Sequence, residues 1–303
     1  VYVRNAHTGP YRRTLANISF HVNCDADWGA DGADDDSGPI AGGESVPTAP
    51  VGGAWTRWGT CRWRLDAQGT LWIAPDTGWE EGAVGRHPNI LGRVPWYPQR
   101  RRIRAVHALG VVRLGASASG MFCGLENCET MALTGLDVSG VEDMGALFWR
   151  CFSLSSLDVS GWDTSRVRSL RCTFSGCASL AALDISAWDT SQAEDLRGMF
   201  CGCSSLSFLD LSGWDMSGAL DVSEMFRSCA GLGRVRLGAR FSFRPHELSR
   251  SVWLTRLPDP PAGPPYGGGW AMKDGSYVMD ATELATRYGP ALVGTWVWAR
   301  GRG

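Results

Sequence analysis

The chain has 303 residues, 44% hydrophobic and 20% charged, a composition that permits a buried core and excludes wholesale disorder. Its 29 basic and 31 acidic side chains leave a formal charge of −2, which supplies no electrostatic reason to expect nucleic acid as a general partner. The single lysine, Lys273, does not follow a glycine, so no Walker A phosphate loop can be written, and no G-x-G-x-x-G occurs among the 39 glycines.

No window of 18 apolar residues exists, so no membrane-spanning helix is expected. The start lacks the charged-then-apolar pattern of a signal peptide, and a chain opening on Val1 reads as a mature form or a fragment. Residues 1–53, with DADWGADGADDDSG and GGESVPTAP, have the Gly, Asp and Pro content of a linker or tail.

Residues 54–116 read as a β-rich N-terminal cap. WGTCRWRLDAQGTLWIAP predicts two strands around a turn at Asp66–Gly69, with Leu65, Leu71 and Ile73 facing a core. Pro95-Trp96 and a Val- and Ile-containing stretch from Arg101 to Leu114 follow. The run Arg100-Arg101-Arg102-Ile103-Arg104 alternates like a strand and reads as a solvated face or cap edge.

Residues 117–243 are a repeat. Phe122, Phe148, Phe174, Phe200 and Phe226 recur at one unbroken interval; Cys151, Cys177, Cys203 and Cys229, and Trp162, Trp188 and Trp214, keep the same period. The fullest copies are LDVSGWDTSRVRSLRCTFSGCASL, LDISAWDTSQAEDLRGMFCGCSSL and LDLSGWDMSGALDVSEMFRSCAGL. Alternation in each copy puts Leu157 and Val159 inward and Asp158 and Ser160 outward, as in a short strand. W-D-T-S reads as a turn, and the spacing of Val167, Leu170 and Phe174 predicts a short helix or 3-10 turn. One copy cannot bury its apolar set alone, but stacked copies can, so the fold class is an α/β repeat solenoid of about five coils with parallel strands. Residues 244–266, with LPDPPAGPPYGGG, read as a connection and hinge. Residues 267–303 read as a small Trp-rich C-terminal module with a short helix at Ala281–Tyr288 and a strand at GTWVW.

The L-x-x-L-x-[VIL] unit and the pattern LD[VIL]S[GA]WDTS…MFxGCxSL closely resemble the BspA-like leucine-rich repeat of bacterial surface proteins, over about Gly120 to Leu237. The GTC…W…L…GTL hairpin and PW resemble the entry module of the same family. The first copy departs by lacking the W-D-T-S turn, Arg236 replaces the strand Asp in the last, and the usual leucine-rich-repeat Asn is absent. The resemblance implies a bacterial cell-surface or extracellular protein that adheres to host or neighbouring-cell protein or glycan ligands.

Candidate chemistry is sparse. The Cys column reads as buried packing, because parallel Cβ vectors disfavour bridging along a stack. Cys24, Cys61, Cys123 and Cys128 lie off the column and are the better disulfide candidates in an oxidising compartment. No cysteine pair has the short spacing and nearby histidine of a zinc site, and no H-E-x-x-H or G-x-S-x-G occurs. No metal, no cofactor and no catalytic residue is expected. Positions that vary between copies are free to carry recognition: on the strand face these are Ser156, Ala182, Phe208 and Arg234, ending beside Arg236. A second choice is Arg166/Gln192/Gly218 with Arg171/Arg197/Ser223. The expectation is a non-enzymatic binding solenoid; the rivals are a rigid stalk displaying another domain, a hydrolase using a pocket in the N-terminal module between residues 54 and 115, and an intracellular protein-interaction solenoid.

Overall fold

The structure, a computed structural model, describes residues 54–76, 81–84, 94–244 and 255–300; the stretch at 1–53 read as a linker lies outside the described residues. Alternation in C-R-W-R-L buries Cys61, Trp63 and Leu65 and turns Arg62 and Arg64 outward, making β2 (Cys61–Leu65). It pairs antiparallel with β1 (Thr56–Trp58) and with β3 (Thr70–Pro75), the latter through the turn in which the Gly69 N–H donates to the Asp66 carbonyl. Leu65, Leu71 and Ile73 are buried as predicted.

At β3 the sheet changes direction. β3 runs parallel to β5 (Ala105–Ala108), β5 to β7 (Thr130–Ala132), and β7 to β9 (Ser156–Leu157). A smaller parallel ladder joins β4 (Glu81–Ala83), β6 (Val111–Arg113) and β8 (Leu136–Asp137). Further along, β10 (Phe208–Leu211) pairs parallel with β11 (Arg234–Leu237), each residue opposite its counterpart one period later. The chain is a parallel-strand repeat solenoid. The basic run is not a strand: Tyr97–Arg102 form a 3-10 turn, and Ile103 is buried beneath it. Pro98 stands in the first positions of that turn, where its fixed φ suits a helical start.

The other flank of each coil, predicted as a short helix or 3-10 turn, is a chain of single three-residue turns. Thr173 N–H donates to Leu170, Ser175 to Cys172 and Cys177 to Phe174, while Cys172, Phe174 and Gly176 donate to carbonyls of the next coil. A continuous helix is prevented by left-handed residues recurring once per period, at Gly120, Ala146, Cys172, Gly198 and Glu224 and again four positions later. The left-handed residues' own N–H groups, such as those of Cys172 and Gly176, donate to the neighbouring coil, so stacking bonds replace helical ones.

Inside, the rings stack. Phe122, Phe148, Phe174, Phe200 and Phe226 are fully buried, with neighbouring centroids 5.5–6.0 Å apart. Trp96, one period before Phe122, is the first rung, at 6.3 Å. Trp162, Trp188 and Trp214 form a second buried column, the first two stacked at 6.3 Å.

The C-terminal segment closes the far end. β14 (Gly294–Arg300) pairs antiparallel with β11, and β12 (Tyr266–Met272) and β13 (Val278–Met279) continue the sheet. Helix α1 (Ala281–Arg287) is started by Asp280, whose carboxylate accepts from the N–H groups of Thr282 and Glu283. Tyr288 then packs edge-on to Phe241 and Phe243, and its hydroxyl donates to the Gly238 carbonyl at 2.9 Å. Backbone bonding along β11 and β14 covers what would otherwise be an open sheet edge.

Candidate functional face

Two outward rows of side chains run across the strands. The first holds Thr130, Ser156, Ala182, Phe208 and Arg234, and Arg234 is opposite Val297 of β14. Ser156, Ala182 and Arg234 are exposed and Phe208 is half-buried, because the Arg234 guanidinium lies 4.2 Å from the centre of its ring. The second row holds Asp158, Asp184, Asp210 and Arg236. Arg236 Nη1 is 3.3 Å from Asp210 Oδ2, while Asp210 Oδ1 accepts from the Ser212 N–H and hydroxyl. Partial burial opposes ionisation of Asp210, but the Ser212 bonds and Arg236 outweigh it and lower its pKa. The residues expected to carry recognition therefore meet on one face, with Arg234 and Arg236 already laid against Phe208 and Asp210.

The aspartate ladder is stabilised locally. Asp158 and Asp184 each accept from the N–H and hydroxyl of the serine two positions on, and in Asp158 these bonds lower the pKa. In the turns, Asp163, Asp189 and Asp215 bind the following serines in the same way through the backbone, and the Thr164 hydroxyl donates to the Asp189 carbonyl one coil away. No group of three or more potential metal-ligating side chains occurs among the described residues.

The cysteine column faces inward. Cys151, Cys177, Cys203 and Cys229 are fully buried, and burial pushes their thiols up, in Cys229 to about 12. Thiols so placed are poor nucleophiles. Cys61, Cys123 and Cys128, the off-column disulfide candidates, are buried thiols here, and Cys24 lies outside the described residues.

The second candidate column divides: Arg166 and Gln192 are exposed and Gly218 half-buried, whereas Arg197 and Ser223 are buried and Arg171 is half-buried. Arg171, Arg197 and Ser223 lie beside a bridged row, Ser117, Asp143, Ser169, Asp195 and Asp221. Burial, and then the neighbouring Asp221, push Asp195 up to about 7 against the opposing pull of Arg171 and Arg197.

Residues 116–234 match a protein family. Its description is "Mycoplasma protein of unknown function, DUF285", and the match spans the repeated coils but well under half of the chain. One solved structure, a leucine-rich repeat protein from Eubacterium ventriosum ATCC 27560, is 14% identical. It covers 61% of this chain and 79% of that one at a TM-score of 0.18, a superposition too loose to bear on the site. Curated proteins yield no match. Among the described residues no helix is long and apolar enough to cross a membrane.

One cluster escaped the sequence reading. On the cap, Trp55, Arg62, Arg64, Trp72 and His107 interleave: Arg62 and Arg64 lie 4.6 and 4.9 Å from the Trp55 ring centre, Arg64 lies 5.7 Å from Trp72, and Trp72 packs at 4.7 Å on His107. The signal was available in the alternation of C-R-W-R-L, which puts both arginines on the outer side. Which tryptophan they would meet depends on strand pairing that composition does not reveal.

Proposed function

We propose that this chain is a non-enzymatic bacterial surface solenoid that binds protein or glycan ligands of host or neighbouring cells through its outward strand face. The observation that carries the proposal is the contrast between columns. Phe, Cys and Trp repeat where the stack needs them, whereas Ser156, Ala182, Phe208 and Arg234 differ on a face that the stack leaves exposed. Arg234 held on Phe208 offers a pre-ordered planar donor with an apolar flank, a combination that binding hot spots favour. An extracellular or cell-surface location and the adhesive role come from the likeness of the repeat to surface proteins. The test is a screen of the purified chain against cells, matrix proteins and mucins. Phe208→Ala combined with Arg234→Ala should abolish the binding found; undiminished binding would favour a stalk whose face is inert.

A further inference from the structure

We propose that the outer face of the N-terminal cap is a second recognition site, specific for a short acidic oligosaccharide bearing carboxylate or sulfate groups. It lies at the cap end of the same outward strand face and does not depend on the Phe208–Arg234 pair. The site is the ladder Trp55, Arg62, Arg64, Trp72 and His107 on β2, β3 and β5 and the segment before β1. A guanidinium stacked on indole keeps its plane fixed while its N–H groups point along that plane, which is the geometry for gripping an oxyanion. The charge balance is local: residues 54–76 and 94–108 hold seven arginines and two aspartates. Asp76 is already 2.7 Å from Arg57, and Asp66 accepts from Trp72 Nε1 at 2.7 Å and from two backbone N–H groups.

The surroundings select the ligand class. His107 is opposite Ala132, and the next rung is Asp158, about 10 Å beyond His107 at two strand spacings. A long polyanion such as duplex nucleic acid would run onto Asp158, Asp184 and Asp210, so the anionic part must be short. Arg62, Arg64, Trp72 and His107 stand on β2, β3 and β5, each paired on both sides, so an acidic peptide lying over them makes no main-chain bonds; the sheet's edge is β1. Sugar rings need no such edge. They can lie on the indole margins and the small Ala132, Thr130 and Ser156 while their anionic substituents meet Arg62 and Arg64.

The experiment is calorimetric titration of the full chain with a heparin-derived hexasaccharide, with maltohexaose, hexaglutamate and a thymidine hexanucleotide as comparison probes. Binding of the sulfated hexasaccharide alone is expected. Arg62→Gln with Arg64→Gln should weaken it by about tenfold or more, and Arg64→Lys by severalfold because the planar donor is lost. Phe208→Ala with Arg234→Ala should leave it unchanged. A hydrogen-exchange footprint of the bound hexasaccharide on the unsubstituted chain should fall on β2, β3 and β5. The proposal is overturned by absence of binding, by a footprint elsewhere, by indifference to the arginine changes, or by equal affinity for hexaglutamate or the hexanucleotide.

Discussion

The Cys177 thiol donates to the carbonyl oxygen of Phe148, 29 residues upstream, at 3.3 Å. Cys151, Cys203 and Cys229 make the same bond to Phe122, Phe174 and Phe200, at 2.9–3.1 Å. The indole N–H groups of Trp188 and Trp214 also reach back 29 residues, to Val159 and Ile185. An offset of one coil plus three residues thus ties each coil to its predecessor through side chains as well as backbone. The repeated Cys and Trp act as donors between coils, besides filling space.

That bonding predicts masked thiols. Burial removes Cys177 and Cys203 from reagent and raises their pKa, so reaction with a thiol-specific dye should track global unfolding in urea. Cys203→Ala should cost about 1–2 kcal/mol, combining a lost bond with a small cavity. Rapid labelling of Cys177 or Cys203 in the native chain, followed by mass spectrometry, would contradict the assignment.

The ring column should be most sensitive in its middle. Phe174 packs against Phe148, Phe200 and Trp188, so Phe174→Ala is expected to cost about 3–5 kcal/mol. Phe226, the last rung of the ring column, should cost less on the same change, because its stacking contact is with Phe200 alone among the described rings. Urea unfolding of both variants measures the difference; equal losses would mean that stacking along the column adds nothing to burial.

Backbone strain gives an opposite sign. Ser228 is exposed with φ of 59°, where three matching coils have Gly124, Gly176 and Gly202 at 68–79° and the fourth has Arg150. A left-handed non-glycine residue costs roughly 1–2 kcal/mol, and glycine returns about 0.5–1 of that as unfolded-state entropy. Ser228→Gly should therefore stabilise by about 0.5–1 kcal/mol. Gly176→Ala should destabilise by about 1–2 kcal/mol, since its φ is 79° and a Cβ there would sit 3.3 Å from Arg150 Cα and the Phe152 ring. Thermal melts of the two variants should shift in opposite directions.

The constant period made the stack legible, because identical spacing of Phe, Cys and Trp admits little besides coil-on-coil packing. It could have been carried one step further: Trp96 lies one period before Phe122 and is a different residue type, so identity matching overlooked it. The left-handed columns were hidden for the same reason, since Gly alternates there with Ala, Cys, Arg, Glu and Ser. The closure of β11 by β14 was not legible at all. It depends on a pairing of Val235 with Trp296, far apart in the chain, for which a lone strand pattern gives no register. The same limit hid the cap ladder, whose members come from separate strands, whereas the Phe208, Arg234 and Arg236 grouping followed directly from the period.

Asp195 makes stability depend on pH in an unusual direction. Burial and the adjacent Asp221 raise its folded pKa to about 7, above the ordinary carboxylate value that it regains on unfolding. Between those two values the folded chain holds a proton that the unfolded chain has released, so the contribution of this group falls as pH rises from about 4 to 7. Above 7 both states are ionised and the penalty is constant; below 4 both are protonated and it vanishes. Asn mimics the protonated acid and still offers an oxygen to the Arg197 N–H, which Asp195 Oδ1 accepts at 3.0 Å. Asp195→Asn should therefore stabilise the chain at pH 8, by an amount on the order of 2 kcal/mol, and leave it nearly unchanged at pH 4. Urea midpoints of both proteins across this range measure the effect. A gain of equal size at pH 4 and pH 8 would show that ionisation of Asp195 is not its source.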